Sequence, residues 1–202
     1  RTCVSIDTTS PEVAAACLDA GARVVNDVSL LSNPELASVA AGSGAALVLS
    51  HARAPQAQMA GFGGWPASAY DDVVRDVLAD WMRAAETACA RGVARASLIM
   101  DPGLGFSKAS RHSFDLLRRT SELVAAMRAY GDVPVLIGAS RKSFLTLVDR
   151  GAAPPDRIGA SLVAAVHAVR SGARIVRVHD VRATRQALDM DIVLGTLTGH
   201  AD

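Results

Sequence analysis

The chain has 202 residues, 50% of them hydrophobic and 20% charged, with a net charge of +1 at neutral pH. These proportions describe an ordinary globular domain with apolar material for one sizeable core. So even a charge balance argues against nucleic acid or an anionic membrane as a partner, and no apolar run approaches the ~20 residues that span a bilayer. Nothing reads as a signal peptide. The three cysteines, Cys3, Cys17 and Cys89, are odd in number and lack metal-ligand spacing. They are expected to be reduced, mostly buried thiols of a cytoplasmic protein. Arg1 stands where a Met is expected, and Cys3-Val4-Ser5-Ile6 already has the character of a strand interior. The sequence therefore predicts a chain that begins in mid-fold.

Residues 2–6 read as the first strand, followed by Asp7-Thr8-Thr9. Ser10 is an N-cap with Pro11 at the first helical position, and a helix continues over 13–20 until Gly21 closes it. Residues 23–25 form the next strand, ending in Asn26-Asp27-Val28-Ser29, and Asn33-Pro34-Glu35 opens a short helix to about residue 41. A third strand over 45–49 ends in Ser50-His51. Residues 52–68 are polar, Gly-rich and aperiodic, which predicts a long loop of the kind that is usually functional.

A long helix is predicted over 69–90, where Val73, Val77, Trp81 and Ala84/Ala85 recur at helical spacing, so that Trp81 packs in the core. The fourth strand, 97–100, leads into Asp101-Pro102-Gly103-Leu104-Gly105-Phe106-Ser107-Lys108. One helix is predicted over 113–129, with Arg118-Arg119 on a solvated face. A fifth strand over 133–137 runs into Gly138-Ala139-Ser140-Arg141-Lys142-Ser143. A short helix, a turn over 151–155 and a helix over 156–171 follow. The sixth strand, 173–176, continues into Arg177-Val178-His179-Asp180, and a last helix covers 181–195. The expected organisation is one domain over 1–195 with a polar tail over 196–202.

Six short apolar strands that do not alternate, each followed by a helix, predict a parallel sheet buried on both faces and an α/β fold. A parallel barrel and an open doubly wound sheet both fit, although no G-x-G-x-x-G follows the first strand. In either case ligands sit at the carboxyl ends of the strands. Those ends carry Asp7, Asn26-Asp27, His51, Asp101, Ser140-Arg141-Lys142 and Arg177/His179. Each residue alone is more often a cap or turn residue. Asp101, for example, can cap the loop behind it, and Arg177 with Asp180 can form a local ion pair. His51 has no carboxylate partner in sight and reads as structural, as does His167 within its helix.

Six such clusters at one topological position converge on a mouth. Asp7, Asn26 and Asp101 suit the amino and amide edges of a flat heterocycle. Lys142 suits a carbonyl oxygen or ring nitrogen. Arg177 and His179, two apart on the last strand, form a basic pair for phosphate or carboxylate.

Ser5-Ile6-Asp7-Thr8, Val25-Asn26-Asp27-Val28-Ser29, Asp101-Pro102-Gly103-Leu104-Gly105-Phe106, Ser140-Arg141-Lys142-Ser143-Phe144 and Arg177-Val178-His179-Asp180 together resemble the ordered motifs of the dihydropteroate synthases, across essentially the whole chain. The resemblance implies a (β/α)8 TIM barrel, here an incomplete one of about six units matching strands 3–8 of the family. It also implies the condensation of 4-aminobenzoate with 6-hydroxymethyl-7,8-dihydropterin diphosphate, releasing diphosphate in folate biosynthesis. By matched position, Asp7, Asn26, Asp101, Gly138, Lys142 and Arg177 would bind the pterin. Arg177 and His179 would bind the diphosphate, and Phe106, Lys142 and Ser143 the aminobenzoate. Asp7, Lys142 and Asp101 would carry the catalytic weight. The resemblance further implies Mg²⁺, whose protein ligand would lie in the family's first two units, and a homodimer.

Two departures qualify this expectation. The stretch Ser50-His51-Ala52-Arg53-Ala54-Pro55 has Ala52 where the family usually carries a pocket-lining methionine, and it is one residue short. The family's first two units have no counterpart after Arg1, which predicts a marginally stable, impaired chain. A pterin-binding relative without synthase activity and, more remotely, a methyltransferase acting on a folate are the alternative functions.

Overall fold

Ser10 opens the first helix by accepting the Val13 amide on its Oγ at 3.2 Å, ahead of Pro11 at the first helical position. The structure, a computed structural model, describes residues 2–54 and 65–197. Within them the helices are α1 (Pro11–Asp19), α2 (Glu35–Gly42), α3 (Val73–Ala90), α4 (Ser110–Arg118), α5 (Thr120–Gly131), α6 (Ile158–Arg170) and α7 (Val181–Leu197). The strands are β1 (Ser5–Asp7), β2 (Val24–Asp27), β3 (Ala46–Ser50), β4 (Leu98–Asp101), β5 (Leu136–Ile137) and β6 (Ile175–Val176).

All strand pairs are parallel, in the orders β1-β2-β3-β4 and β5-β6. A parallel bridge between Met100 and Val135 joins the two sets, so the strands follow one another in chain order. Each strand pair is connected through helical segments, as parallel pairing requires. This is the α/β architecture of an incomplete (β/α)8 barrel, and the predicted class holds. Val25, Leu47, Leu49, Leu98 and Met100 are fully buried along the strands, and Leu36, Val77, Trp81, Leu116 and Leu123 press on them from the helices.

Several predicted boundaries move. The first four strands extend one or two residues further toward their carboxyl ends, which makes Asp7, Asn26, Asp27 and Asp101 strand residues rather than loop residues, while β5 and β6 end at Ile137 and Val176 as expected. The long helix begins at Val73 because Asp72, not an earlier residue, caps it by accepting the Val74 and Arg75 amides. The single helix predicted over 113–129 is two helices. Thr120, fully buried, turns its hydroxyl back onto the carbonyls of Leu116 and Leu117, a bond that competes with the helical ladder and bends it at Arg119. Arg119 is accordingly not on a solvated face: it is 23% exposed and reaches Asp72 and Glu122, while Arg118 is exposed beside Asp115.

Trp81 packs in the core as expected and donates its indole N–H to the Leu49 carbonyl at 2.9 Å. The cysteines are free, as expected, but Cys3, ahead of β1, is exposed, and Cys17 and Cys89, on α1 and α3, pack half-buried against the core. Most of the predicted 52–68 loop and most of the 196–202 tail lie outside the described residues.

Candidate active site

Register places the polar residues side by side. Asp7 lies opposite Asn26 across β1–β2, and Ser50 lies opposite Asp101 across β3–β4. Asn26 donates its side-chain amide to Asp7 Oδ1 at 3.1 Å, and its own Oδ1, buried, has no partner among the described residues. Asp101, 5% exposed, accepts the Ser50 hydroxyl at 2.9 Å and the Gly103 amide at 2.8 Å. It thus does cap its own loop. A carboxylate offers about four lone-pair sites, so this leaves acceptor capacity for a ligand.

The neighbouring Asp27 serves the scaffold instead. Fully buried, it accepts from the amides of Ser29 (3.0 Å) and Leu31 (2.5 Å) and from the Ser29 hydroxyl (2.6 Å). This holds Leu30 and Leu31 at φ +55° and +60°, a backbone region that costs ~1–3 kcal/mol per residue outside glycine. Burial pushes its carboxyl pKa upward, and the Ser29 hydroxyl is the main opposing bond.

On the other side a cavity of about 730 Å³ is lined by Phe106, Gly138, Lys142, Ser143, Arg177 and His179, among others. Lys142 Nζ donates to the Leu104 carbonyl and stands 4.7 Å from the centre of the Phe106 ring. Burial lowers its pKa to about 8; Asp101 opposes the shift and Arg177 adds to it. A Cβ on Gly138 would stand 3.8 Å from Arg177 Cβ and 3.9 Å from Lys142 Nζ, so its absence leaves open the gap between the two cations.

Arg141 sits at φ +60° and is held at three points. Its guanidinium grips Asp180 through two bonds (3.0 and 2.5 Å), its amide donates to Ser161 Oγ (3.0 Å), and its carbonyl accepts from Arg157 (2.8 Å). The residue before Lys142 is therefore a structural anchor.

Arg177 does not pair with Asp180, because Arg141 has already claimed it. It reaches instead across the mouth to Asp7 at 2.8 Å. That pair is 56% and 49% exposed, and exposed pairs contribute ~0–1 kcal/mol, so a ligand can displace it at small cost. β6 ends at Val176, before both Arg177 and His179, because the chain there is leaving the sheet. Both nonetheless line the one cavity. Ser140 Oγ accepts the His179 amide at 3.2 Å and hydrogen-bonds His179 Nδ1 at 3.0 Å, which leaves Nε2 for a ligand.

The sequence reading left His51 without a carboxylate. It is fully buried, with Nε2 3.1 Å from Asp80 of α3 and Nδ1 2.8 Å from Lys108 Nζ. Burial, reinforced by the Lys108 charge, drops its pKa to about 3. The sequence reading assigns Lys108 no role beyond closing the Asp101–Ser107 motif. Only its place directly after the Gly-rich loop hinted at a role. His167 contacts the Leu117 carbonyl at 3.0 Å, a structural role as expected. Ala52 is buried and borders a separate cavity together with Leu30, Leu31 and Arg53.

Comparison with known proteins puts this geometry in context. Residues 1–179 match the pterin binding enzyme family. The dihydropteroate synthase of Mycobacterium leprae is 46% identical over 191 residues, covering 92% of this chain and 64% of that protein. A second protein of that organism, named inactive dihydropteroate synthase 2, is 38% identical, covering 93% and 62%. Among solved structures, the Thermus thermophilus dihydropteroate synthase in complex with 6HMPPP superposes with a TM-score of 0.80 at 38% identity, over 96% of this chain and 70% of that one. The same enzyme with 4-aminobenzoate gives 0.81 at 39%, over 94% and 69%. The chain thus spans somewhat under two thirds of the length of the M. leprae relatives. With the family match spanning residues 1–179 and the whole fold superposing on such enzymes, the chain belongs to the pterin-binding enzymes, the family of the dihydropteroate synthases.

Proposed function

We propose that this chain carries the site of a dihydropteroate synthase, which joins 4-aminobenzoate to 6-hydroxymethyl-7,8-dihydropterin diphosphate and releases diphosphate. The observation that carries the reading is Asn26 Oδ1, a buried acceptor with no partner among the described residues, flanked by the Asp7 carboxylate. An unmet buried acceptor costs ~1–3 kcal/mol, and the amino–amide edge of a pterin supplies the missing N–H. Asp101 offers its remaining lone pairs to the same edge, and Lys142 an N–H to a ring acceptor.

The chemistry follows from charge. As the carbon–oxygen bond to diphosphate lengthens, positive charge grows on the pterin and negative charge on the leaving group. Asp7 and Asp101 stabilise the first; Arg177, released from Asp7, and His179 Nε2 receive the second. The aminobenzoate nitrogen then bonds to the exposed methylene carbon and gives up a proton, so no protein nucleophile is needed. Phe106, Lys142 and Ser143 border the amine, and Gly138 leaves room for the ring between Lys142 and Arg177.

Mg²⁺ belongs to the expectation as well. Among the described residues no group of three His, Cys, Asp or Glu side chains could hold a metal, so the residues present do not fit it and no step above depends on it. A homodimer is supported by an apolar groove of about 440 Å³ along α4 and α6, where Leu147, Val148 and Val163 are 67%, 80% and 71% exposed. A cytoplasmic site of action is supported by the three unpaired thiols, and no described helix is long and apolar enough to cross a membrane. A pterin-binding relative without synthase activity is the second reading, favoured by the 38% identity to a protein named inactive dihydropteroate synthase 2.

Titration calorimetry separates them. The synthase reading requires binding of the pterin diphosphate, ordered binding of aminobenzoate after it, and diphosphate release. Binding of the first ligand alone selects the second reading. Asp101→Asn is expected to weaken the pterin at least about tenfold while costing only ~1 kcal/mol of stability, the worth of one internal hydrogen bond. Unchanged affinity would remove Asp101 from the site.

A further inference from the structure

Of the chain's 21 cationic side chains, only two are lysines, Lys108 and Lys142. Both lie behind the mouth, and the synthase chemistry above uses only one. Lys108 is 1% exposed, yet its ammonium is fully satisfied. Its three N–H groups meet three acceptors: His51 Nδ1 at 2.8 Å, the His51 carbonyl at 3.2 Å and the Phe106 carbonyl at 2.9 Å. For Nδ1 to accept, the His51 proton must sit on Nε2, where Asp80 receives it at 3.1 Å. Asp80 is in turn held by Arg53 at 2.8 Å. Burial pulls the Lys108 pKa well below its usual range, while Asp101 and Asp80 oppose that pull and Lys142 and Arg53 add to it.

The same two loops are fastened at other points. Arg53 N–H donates to Ser107 Oγ at 3.1 Å, and Tyr70 O–H to the Ser107 carbonyl at 2.9 Å. Phe106 itself, however, has only Lys108 on its carbonyl and the Gly103 carbonyl on its amide. Phe106 covers Lys142, and the carbonyl of Leu104 in the same loop accepts a hydrogen bond from Lys142 Nζ.

We propose that Lys108 is a positioning residue: its ammonium fastens the Phe106 loop to the carboxyl end of β3 and thereby sets the pose of Phe106 over Lys142. The assignment of that pose to aminobenzoate rests on the synthase reading; the coupling from Lys108 to Lys142 does not. Lys108→Met keeps the length of the side chain and removes every donor.

The test has one arm without substrate and one with it. With ¹³C-labelled lysine, the Lys142 ε-methylene protons report the ring current of Phe106, and Phe106→Leu gives the value without a ring. In Lys108→Met these protons are expected to move most of the way to the Phe106→Leu position. Protons that stay at the wild-type position in a folded variant overturn the proposal. Should Lys108→Met not fold, Asp80→Asn loosens the tautomer of His51 from the far end. It is expected to move the same protons part of the way, and no movement there also overturns the proposal.

In the catalytic arm, the KM for aminobenzoate rises about tenfold or more, the size of one charge-assisted hydrogen bond, while that for the pterin diphosphate stays within about twofold. Equal rises in both would make Lys108 a general structural residue. If the wild-type chain binds neither substrate, the synthase reading falls and the lysine resonances still decide the coupling.

Discussion

The two walls of the mouth are built on opposite plans. On the β3–β4 side, Asp101, His51 and Lys108 are buried, and every polar atom is matched to a partner at fixed distance. On the β6–β1 side, the Arg177 and Asp7 side chains are half-exposed and, among the described residues, are tied to each other and to Asn26, with Asp7 ending the three-residue β1 and Arg177 just past the two-residue β6. A buried network is stiff because breaking one bond strands the rest in a low-dielectric interior. An exposed ion pair can be exchanged for a ligand with little loss. One wall therefore holds a shape, and the other yields a charge to whatever enters.

The stiff wall breaks most completely at Gly103. At φ +66° a Cβ there would come within 2.0 Å of the His51 carbonyl oxygen. Gly103→Ala is expected to cost at least ~3 kcal/mol, combining left-handed strain with a backbone clash, as read by urea unfolding. A loss under ~1 kcal/mol would show that the loop is free to move away and the wall is not stiff.

Lys142 lies between the walls, and pH separates its two roles. Its folded pKa of about 8 is below the unfolded ~10.4, so between those values the unfolded chain holds more protons and stability rises with pH. Affinity for a ligand that accepts from the ammonium moves the other way, falling up to ~tenfold per pH unit above 8. Opposite slopes in thermal melts and in calorimetric titrations are the expected result; parallel slopes would assign the proton elsewhere.

The compliant wall should give the smallest effect on folding. Arg177→Ala is expected to change stability by less than ~1 kcal/mol, to weaken diphosphate-bearing ligands about tenfold, and to affect the bare pterin less. Removing its charge also raises the Lys142 pKa, since Arg177 now lowers it. A bare pterin weakened as much as the diphosphate ester would make Arg177 a ring-stacking residue rather than an anion site.

The compliant wall and the strand order were legible in the chain because they depend on local pattern. Short apolar runs followed by helices specify parallel strands, and residues at the ends of those runs must fall on one face, as Asp7, Asn26 and Arg177 do. The stiff wall was not legible. Its bonds join His51 to Asp80 across 29 residues and to Lys108 across 57, and beyond β5 and β6 the pair Arg141–Asp180 is likewise 39 residues apart. No periodicity encodes such pairs. They arise when α3 docks and brings Asp80 beneath β3. Asp180, read as a neighbour of Arg177, went to Arg141 because a left-handed backbone at position 141 swings that guanidinium inward. The break at Thr120 escaped for a similar reason, since a hydroxyl turned back on its own helix leaves the apolar spacing intact.

The near-absence of lysine has a practical consequence. With arginine as nearly every surface cation, reagents that attack amines find no surface lysine among the chain's side chains. Lys108 is sealed, so Lys142, half-buried and with a lowered pKa, is the side-chain amine left to react. Biotinylation, fluorophore coupling or resin immobilisation through a side-chain amine, as distinct from the chain's α-amino group, would then fall on Lys142. Protection of that reaction by bound pterin would give a direct count of occupied sites.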